Sequence, residues 1–139
     1  MQATVTWQQD QQYDAESHSG HHVTMDGEAA HRAGASPMEF VLMALCSCTS
    51  VDVVSILRKK REPLTSLKVS AVAEQAQEAP RVFTHIKLTY HLNAGVSAKA
   101  AEDAVALSKN KYCSVSKMLE KAVAIDYEIT YDEPATGEA

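Results

Sequence analysis

Ser36-Pro-Met-Glu-Phe-Val-Leu-Met-Ala-Leu-Cys-Ser-Cys-Thr-Ser-Val-Asp-Val-Val-Ser-Ile-Leu57 is the longest apolar, turn-free stretch of the chain. Its start carries helix-initiation signals. Ser36 suits the N-cap, Pro37 the first helical position, and Glu39 stands where a capping box needs a carboxylate. The pattern predicts a helix from Pro37 to about Lys60, roughly 24 residues and about 36 Å long. Arg58, Lys59, Lys60 and Arg61 place positive charge at its C-terminal end, where the dipole favours it, and Pro63 stops it. The first two-thirds are apolar nearly all round, the pattern of a helix enclosed by other structure. A small sheet covers one side of such a helix. The other side calls for a second copy of the chain across a two-fold axis, so a homodimer is expected.

Before this helix, Ala3 to Trp7, Tyr13 to Ser17 and His21 to Met25 read as three short strands of an antiparallel meander. Ser19-Gly20 and Asp26-Gly27 supply turns. Glu28 to Ala35 is a loop. After the helix, Leu67 to Ala73 and Val82 to Leu92 alternate and pair as a hairpin. In the second of them Ile86, Leu88, Tyr90 and Leu92 share one face, while His85, Lys87 and His91 share the other. Ser97 caps a helix running to about Asn110. A short helix from Ser114 to Lys121, a strand from Ile125 to Tyr131 and a frayed tail from Glu133 complete the chain. Three strands, a long helix, two strands, two helices and a strand make an α+β fold, not a βαβ repeat. Nothing in 1–139 marks a linker or repeat, so a single domain is expected.

A net charge of −5 leaves no general basic face for nucleic acid. Glu39, Asp52 and scattered Ser and Thr interrupt the apolar stretch, so no membrane association is expected. The N-terminus shows neither a basic n-region nor an apolar h-region. Three cysteines without an export signal point to a reducing compartment, the cytoplasm, and to free or redox-active thiols. No Gly-rich phosphate loop, nucleophile elbow or zinc-ligand spacing is present, so no cofactor or metal is expected. His21 and His22 are adjacent in a strand and point to opposite faces, poor geometry for shared ligation.

The chemistry then rests on Cys46, Cys48 and Cys113. A buried cysteine is first of all a small core hydrophobe, and that reading fits Cys46. Around Cys48 the helix turns polar through Thr49, Ser50 and Asp52, which pure packing does not require. Cys46 and Cys48 lie two apart on one helix and face different sides, so the available redox pairs join Cys113 to one or the other. Cys113 precedes Ser114 at a helix start near Lys111 and Lys117, a setting expected to stabilise its thiolate. Glu39 and Cys48 stand about 13 Å apart along one helix, on opposite sides. They share a site only if the helix breaks between them or if they come from different subunits.

Ser36-Pro-Met-Glu-Phe-Val-Leu-Met-Ala44, Cys48 nine residues after Glu39, and Lys111-Tyr-Cys-Ser-Val-Ser-Lys-Met-Leu119 resemble the OsmC/Ohr family across essentially the whole chain. Val51-Asp-Val-Val-Ser-Ile-Leu57 and Ala79-Pro-Arg-Val-Phe-Thr-His-Ile86 look most like its YhfA-like branch. The resemblance implies an intertwined homodimer in which antiparallel sheets wrap around long central helices. It also implies a thiol-dependent peroxidase acting on organic hydroperoxides with an external dithiol as reductant. Cys48 then resembles the peroxidatic cysteine, Cys113 the resolving cysteine, and Glu39 the carboxylate that holds a catalytic arginine. This chain departs from the family pattern in having no arginine before Arg32, which leaves Arg32 and Arg81 as candidates. Ser114 follows Cys113 where the family usually has proline, and Asn110 stands where a histidine is frequent. Two alternatives keep the fold without the turnover. One is a stress-related or small-molecule-binding homodimer; the other is a thiol redox sensor.

Overall fold

The computed structural model describes residues 1–134, so the tail expected from Glu133 lies outside the described residues beyond position 134. Two compact units divide the chain, Met1–Met43 and residues 44 onward.

In the first unit, β1 (Ala3–Gln9), β2 (Gln12–Ser17) and β3 (His22–Asp26) form the expected antiparallel meander, in the order β1-β2-β3. Gly20, at φ +86°, closes the β2–β3 turn, with its amide on Ser17 O at 2.9 Å. Asp26 fixes the loop that follows. Its buried carboxylate accepts from the Glu28 amide at 2.8 Å and the Ala33 amide at 3.0 Å, and these two bonds hold its pKa below the usual carboxylate range. The loop then returns beside β3, where Met25 bridges Ala35 and the Asp26 amide reaches Ala35 O at 3.1 Å. A Cβ on Gly34 would collide with the Thr24 carbonyl, so this approach needs glycine. Val5, Trp7 and Val23 leave much of their apolar surface open, Trp7 at 64% exposure.

The long helix α1 (Pro37–Lys59) begins one residue after Ser36. The capping box forms as expected: Glu39 N donates to Ser36 Oγ at 3.2 Å and Ser36 N donates to Glu39 Oε1 at 2.8 Å. By length and composition α1 is apolar enough to cross a membrane. Its packing is narrower than all-round enclosure. Leu45, Thr49, Val53 and Leu57, four residues apart, form the buried stripe, while Met43 and Val51 stay exposed. Among the described residues, part of the apolar surface of this helix therefore stays open.

The second unit carries the core. β4 (Leu67–Gln75) and β5 (Phe83–Leu92) pair antiparallel as the expected hairpin. β5 buries Ile86, Leu88, Tyr90 and Leu92 completely, each burial of this kind worth about 1.5–3 kcal/mol. On the opposite face His85 pairs with Asp126 and Lys87 with Glu128. β6 (Ala124–Tyr131) adds beside β5, but in parallel, so the expectation of purely antiparallel sheets fails for this pair. The chain leaves β5 and crosses over through helices before β6, a connection long enough for parallel pairing. Those helices are α2 (Ala98–Leu107), capped by Ser97, and α3 (Ser114–Leu119), which is shorter than expected. Between them Ser108–Tyr112 forms a π-helical turn rather than the predicted continuation of α2 to Asn110. Its signature is the Cys113 amide bonded to Ser108 O at 2.8 Å, five residues back.

Candidate functional site

The second unit brings Cys48 and Cys113, 65 positions apart in sequence, close enough for the Cys48 side chain to act on the Cys113 thiol. All three cysteines are free thiols; Cys46 and Cys48 are half-buried and Cys113 is fully buried. Of the two cysteines on α1, Cys48 is the one that acts on the Cys113 thiol. Burial pushes the Cys46 thiol up, as befits a packing residue.

Cys113 reverses the expectation of a stabilised thiolate. It does cap α3, its sulfur accepting from the Ser116 amide at 3.3 Å, and that bond favours the anion. Burial outweighs it, and the Cys48 side chain and the Asp52 charge add to the rise, leaving the Cys113 thiol pushed up to about 11. The lysines expected to help are engaged elsewhere. Lys117 pairs with Glu120 at 2.7 Å, and the Lys111 ammonium lies 5.3 Å from the Tyr112 ring centroid. At neutral pH Cys113 is therefore a protonated thiol held against Cys48. Ser116 Oγ is buried nearby in sequence and has no hydrogen-bond partner among the described residues.

The polar turn of α1 has a physical account. Thr49 Oγ1 lies 2.7 Å from Tyr90 OH on β5 and 2.7 Å from Ser108 Oγ, and Ser108 Oγ donates to Asp52 Oδ2 at 2.9 Å. Tyr90, Thr49 and Ser108 are fully buried. An ionised carboxylate only accepts, which orders the chain: Ser108 spends its proton on Asp52, so Thr49 donates to Ser108 and Tyr90 donates to Thr49. Burial pushes the Tyr90 hydroxyl up to about 12, which keeps it a donor. Sequence reasoning found Thr49 and Asp52 as an oddity but missed Tyr90 and Ser108. The only signal for Tyr90 was a hydroxyl on the apolar face of its strand, and for Ser108 a hydroxyl after an apolar helix.

Glu39 is placed differently. It accepts from Ser36 N at the start of its own helix, and His31 Nε2 lies 3.9 Å from Glu39 Oε1. These hydrogen bonds hold its carboxyl below the usual range. α1 runs unbroken from Pro37 to Lys59, so a break in the helix does not bring Glu39 to Cys48. Arg81 donates through Nε to Ala76 O at 3.0 Å, and Arg32 acts on the Asp26 carboxylate. None of the groups acting on Cys113 is cationic.

Comparison with known proteins places this arrangement. Residues 23–128 match the family described as OsmC-like protein. Protein YhfA of Escherichia coli K12 is 46% identical over 132 residues, spanning 93% of this chain and 98% of that protein. A hypothetical protein of Aquifex aeolicus VF5, known as a crystal structure, is 29% identical with a TM-score of 0.81, over 95% of this chain and 97% of its own. The organic hydroperoxide resistance protein OhrB of Bacillus subtilis shares the fold at a TM-score of 0.69 and 14% identity, over 94% of this chain and 98% of its own. The expected α+β architecture is thus the OsmC/Ohr fold, and the chain belongs to the OsmC-like protein family.

Proposed function

We propose that the protein is a thiol-dependent peroxidase that reduces organic hydroperoxides through Cys48 and Cys113. The observation that carries this reading is the meeting of the two thiols, distant in sequence and adjacent in the fold. The Cys48 thiolate attacks the terminal oxygen of the hydroperoxide, the O–O bond breaks, and the alkoxide leaves and takes a proton to become an alcohol. Cys48 is left as a sulfenic acid. The Cys113 sulfur then attacks the Cys48 sulfur, and the sulfenic hydroxyl departs as water with the Cys113 proton. An external dithiol returns the disulfide to two thiols by exchange and is itself oxidised to a disulfide. The similarity in fold to a protein named for organic hydroperoxide resistance supports the substrate class.

In the same reading the protein works as a homodimer in the reducing cytoplasm. The open apolar side chains of β1 and β3 and the incomplete enclosure of α1 support the dimer. Glu39 then serves a site that includes the partner subunit, holding a guanidinium from Arg32 or Arg81. Peroxide consumption with dithiothreitol as reductant tests the activity. Wild type turns over cumene hydroperoxide and Cys48→Ser does not; absence of turnover in wild type with both cumene hydroperoxide and hydrogen peroxide sinks the proposal.

A second reading has its own observation. Glu39 is committed to its helix start and Arg81 to Ala76 O, which suits a thiol couple that registers oxidation without rapid turnover. That sensor forms the Cys48–Cys113 disulfide stoichiometrically with peroxide and consumes no more.

A further inference from the structure

Ser108 connects the surroundings of both sulfurs. Its carbonyl accepts the Cys113 amide at 2.8 Å, which sets the end of the π-helical turn. Its hydroxyl donates to Asp52 Oδ2 at 2.9 Å and lies 2.7 Å from Thr49 Oγ1. Thr49 and Asp52 follow Cys48 on α1, Thr49 as the next residue and Asp52 one turn later on the same face as Cys48. Two hydrogen-bonded paths thus run from the turn that carries Cys113 to the turn of α1 that carries Cys48, and both pass through one side chain.

Packing alone does not explain this arrangement. Thr49 is the polar member of the buried stripe Leu45, Thr49, Val53, Leu57, a place where valine would fill a similar volume. Ser108 and Tyr90 are equally buried hydroxyls. A buried network whose members are all satisfied adds little net stability over an apolar core, but it admits one arrangement of its parts. The arrangement it selects here is the docking of the Cys113 turn on α1.

We propose that Ser108, acting through Asp52 and Thr49, is the positioning residue of the resolving step: it holds the Cys113 thiol against Cys48, so that the sulfenic acid is captured as a disulfide before further peroxide oxidises it. The proposal rests on the reading of Cys48 and Cys113 as the redox pair. The step is Cys48 sulfenic acid plus Cys113 thiol giving the Cys48–Cys113 disulfide and water. Ser108 takes no part in the bonds made or broken. It raises the local concentration of one sulfur at the other, the quantity on which an intramolecular reaction depends.

The test measures that concentration without peroxide. Full-length protein carrying Cys46→Ala, so that only two thiols remain, is equilibrated with reduced and oxidised glutathione, and the Cys48–Cys113 disulfide is quantified by mass spectrometry after alkylation. Ser108→Ala lowers the disulfide equilibrium constant at least tenfold, about 30 mV in potential. Val105→Ala, a truncation in the core of α2, lowers the melting temperature but keeps the constant within twofold. Asp52→Ala reproduces the loss, and Asp52→Asn, whose amide oxygen still accepts from Ser108, restores it to within about threefold of wild type. If Ser108→Ala fails to fold, the two Asp52 variants decide the matter. An unchanged constant in Ser108→Ala or Asp52→Ala overturns the proposal, and so does an equal loss in Val105→Ala. Failure of the peroxidase reading is separately visible, because it removes peroxide consumption and leaves the glutathione equilibrium and its dependence on Ser108 in place.

Discussion

β1 and β5 are both alternating strands, and they end in opposite circumstances. Every residue of β1 is exposed, whereas β5 buries four of its residues completely. Alternation therefore reports which face of a strand is apolar, not whether the same chain covers it. β5 has α1 at Thr49 and β6 at its edge; Trp7 of β1 has its indole N–H on Asp10 O and most of its ring in the open. The second sheet is the core of a chain folding on itself. The first carries apolar surface of the kind that a second copy would use.

The largest effect expected from this contrast is on the second sheet. Leu88→Ala removes a fully buried side chain and costs about 2–5 kcal/mol, read from denaturant midpoints. A cost below about 0.5 kcal/mol removes β5 from the core. Next comes the double substitution Val5→Glu and Trp7→Glu on the first sheet. On the proposed homodimer it weakens self-association by about a hundredfold or more, equivalent to about 2.7 kcal/mol, while leaving the melting transition of the dissociated chain nearly where it was. Sedimentation equilibrium reads this, and unaltered association shows that β1 is not the interface. Ser36→Ala breaks one arm of the capping box and costs about 1 kcal/mol, measured by thermal unfolding. Retention of full stability means that the Ser36 amide bond to Glu39 suffices alone.

The smallest effect distinguishes the surface of the first sheet from its face. His22 Nδ1 lies 2.9 Å from Asp14 Oδ2, and the hydrogen bond and charge of Asp14 raise its pKa above 6.5. Because the folded value is raised, its stabilisation is present below the ordinary histidine pKa and is lost as pH rises through the folded value. The melting temperatures of wild type and His22→Gln therefore differ most near pH 5.5 and converge by about pH 8.5. A gap that does not depend on pH assigns the contribution of His22 to something other than this pair.

Local rules made much of this readable in advance. Ser36, Pro37 and Glu39 act within one turn, so the start of α1 followed from their order, and Ile86 to Leu92 announced their buried face by alternation alone. The direction of β6 did not follow, because parallel pairing is decided by where a long crossover delivers the strand. The π-helical turn after Leu107 was hidden for a similar reason: Ser108, whose carbonyl closes it, is tied through its hydroxyl to α1, 56 residues away at Asp52. Cys113 was legible as a member of a pair but not in its protonation state. The helix start and the lysines are local and visible, while the burial that outweighs them is a property of the folded unit.

Gly20 and Gly34, on either side of the first unit's last strand, make different demands on a substituted library. Gly20 sits at φ +86° in open space, so asparagine or aspartate, which tolerate that backbone, remain admissible. At position 34 the obstacle is a neighbour's main chain, which no change of rotamer relieves. In a saturation screen selected on folding, position 34 should therefore return glycine alone. A chain carrying any other residue there would have to lift the 27–35 loop off β3, giving up the Met25–Ala35 bridge and the bond from the Asp26 amide to Ala35 O.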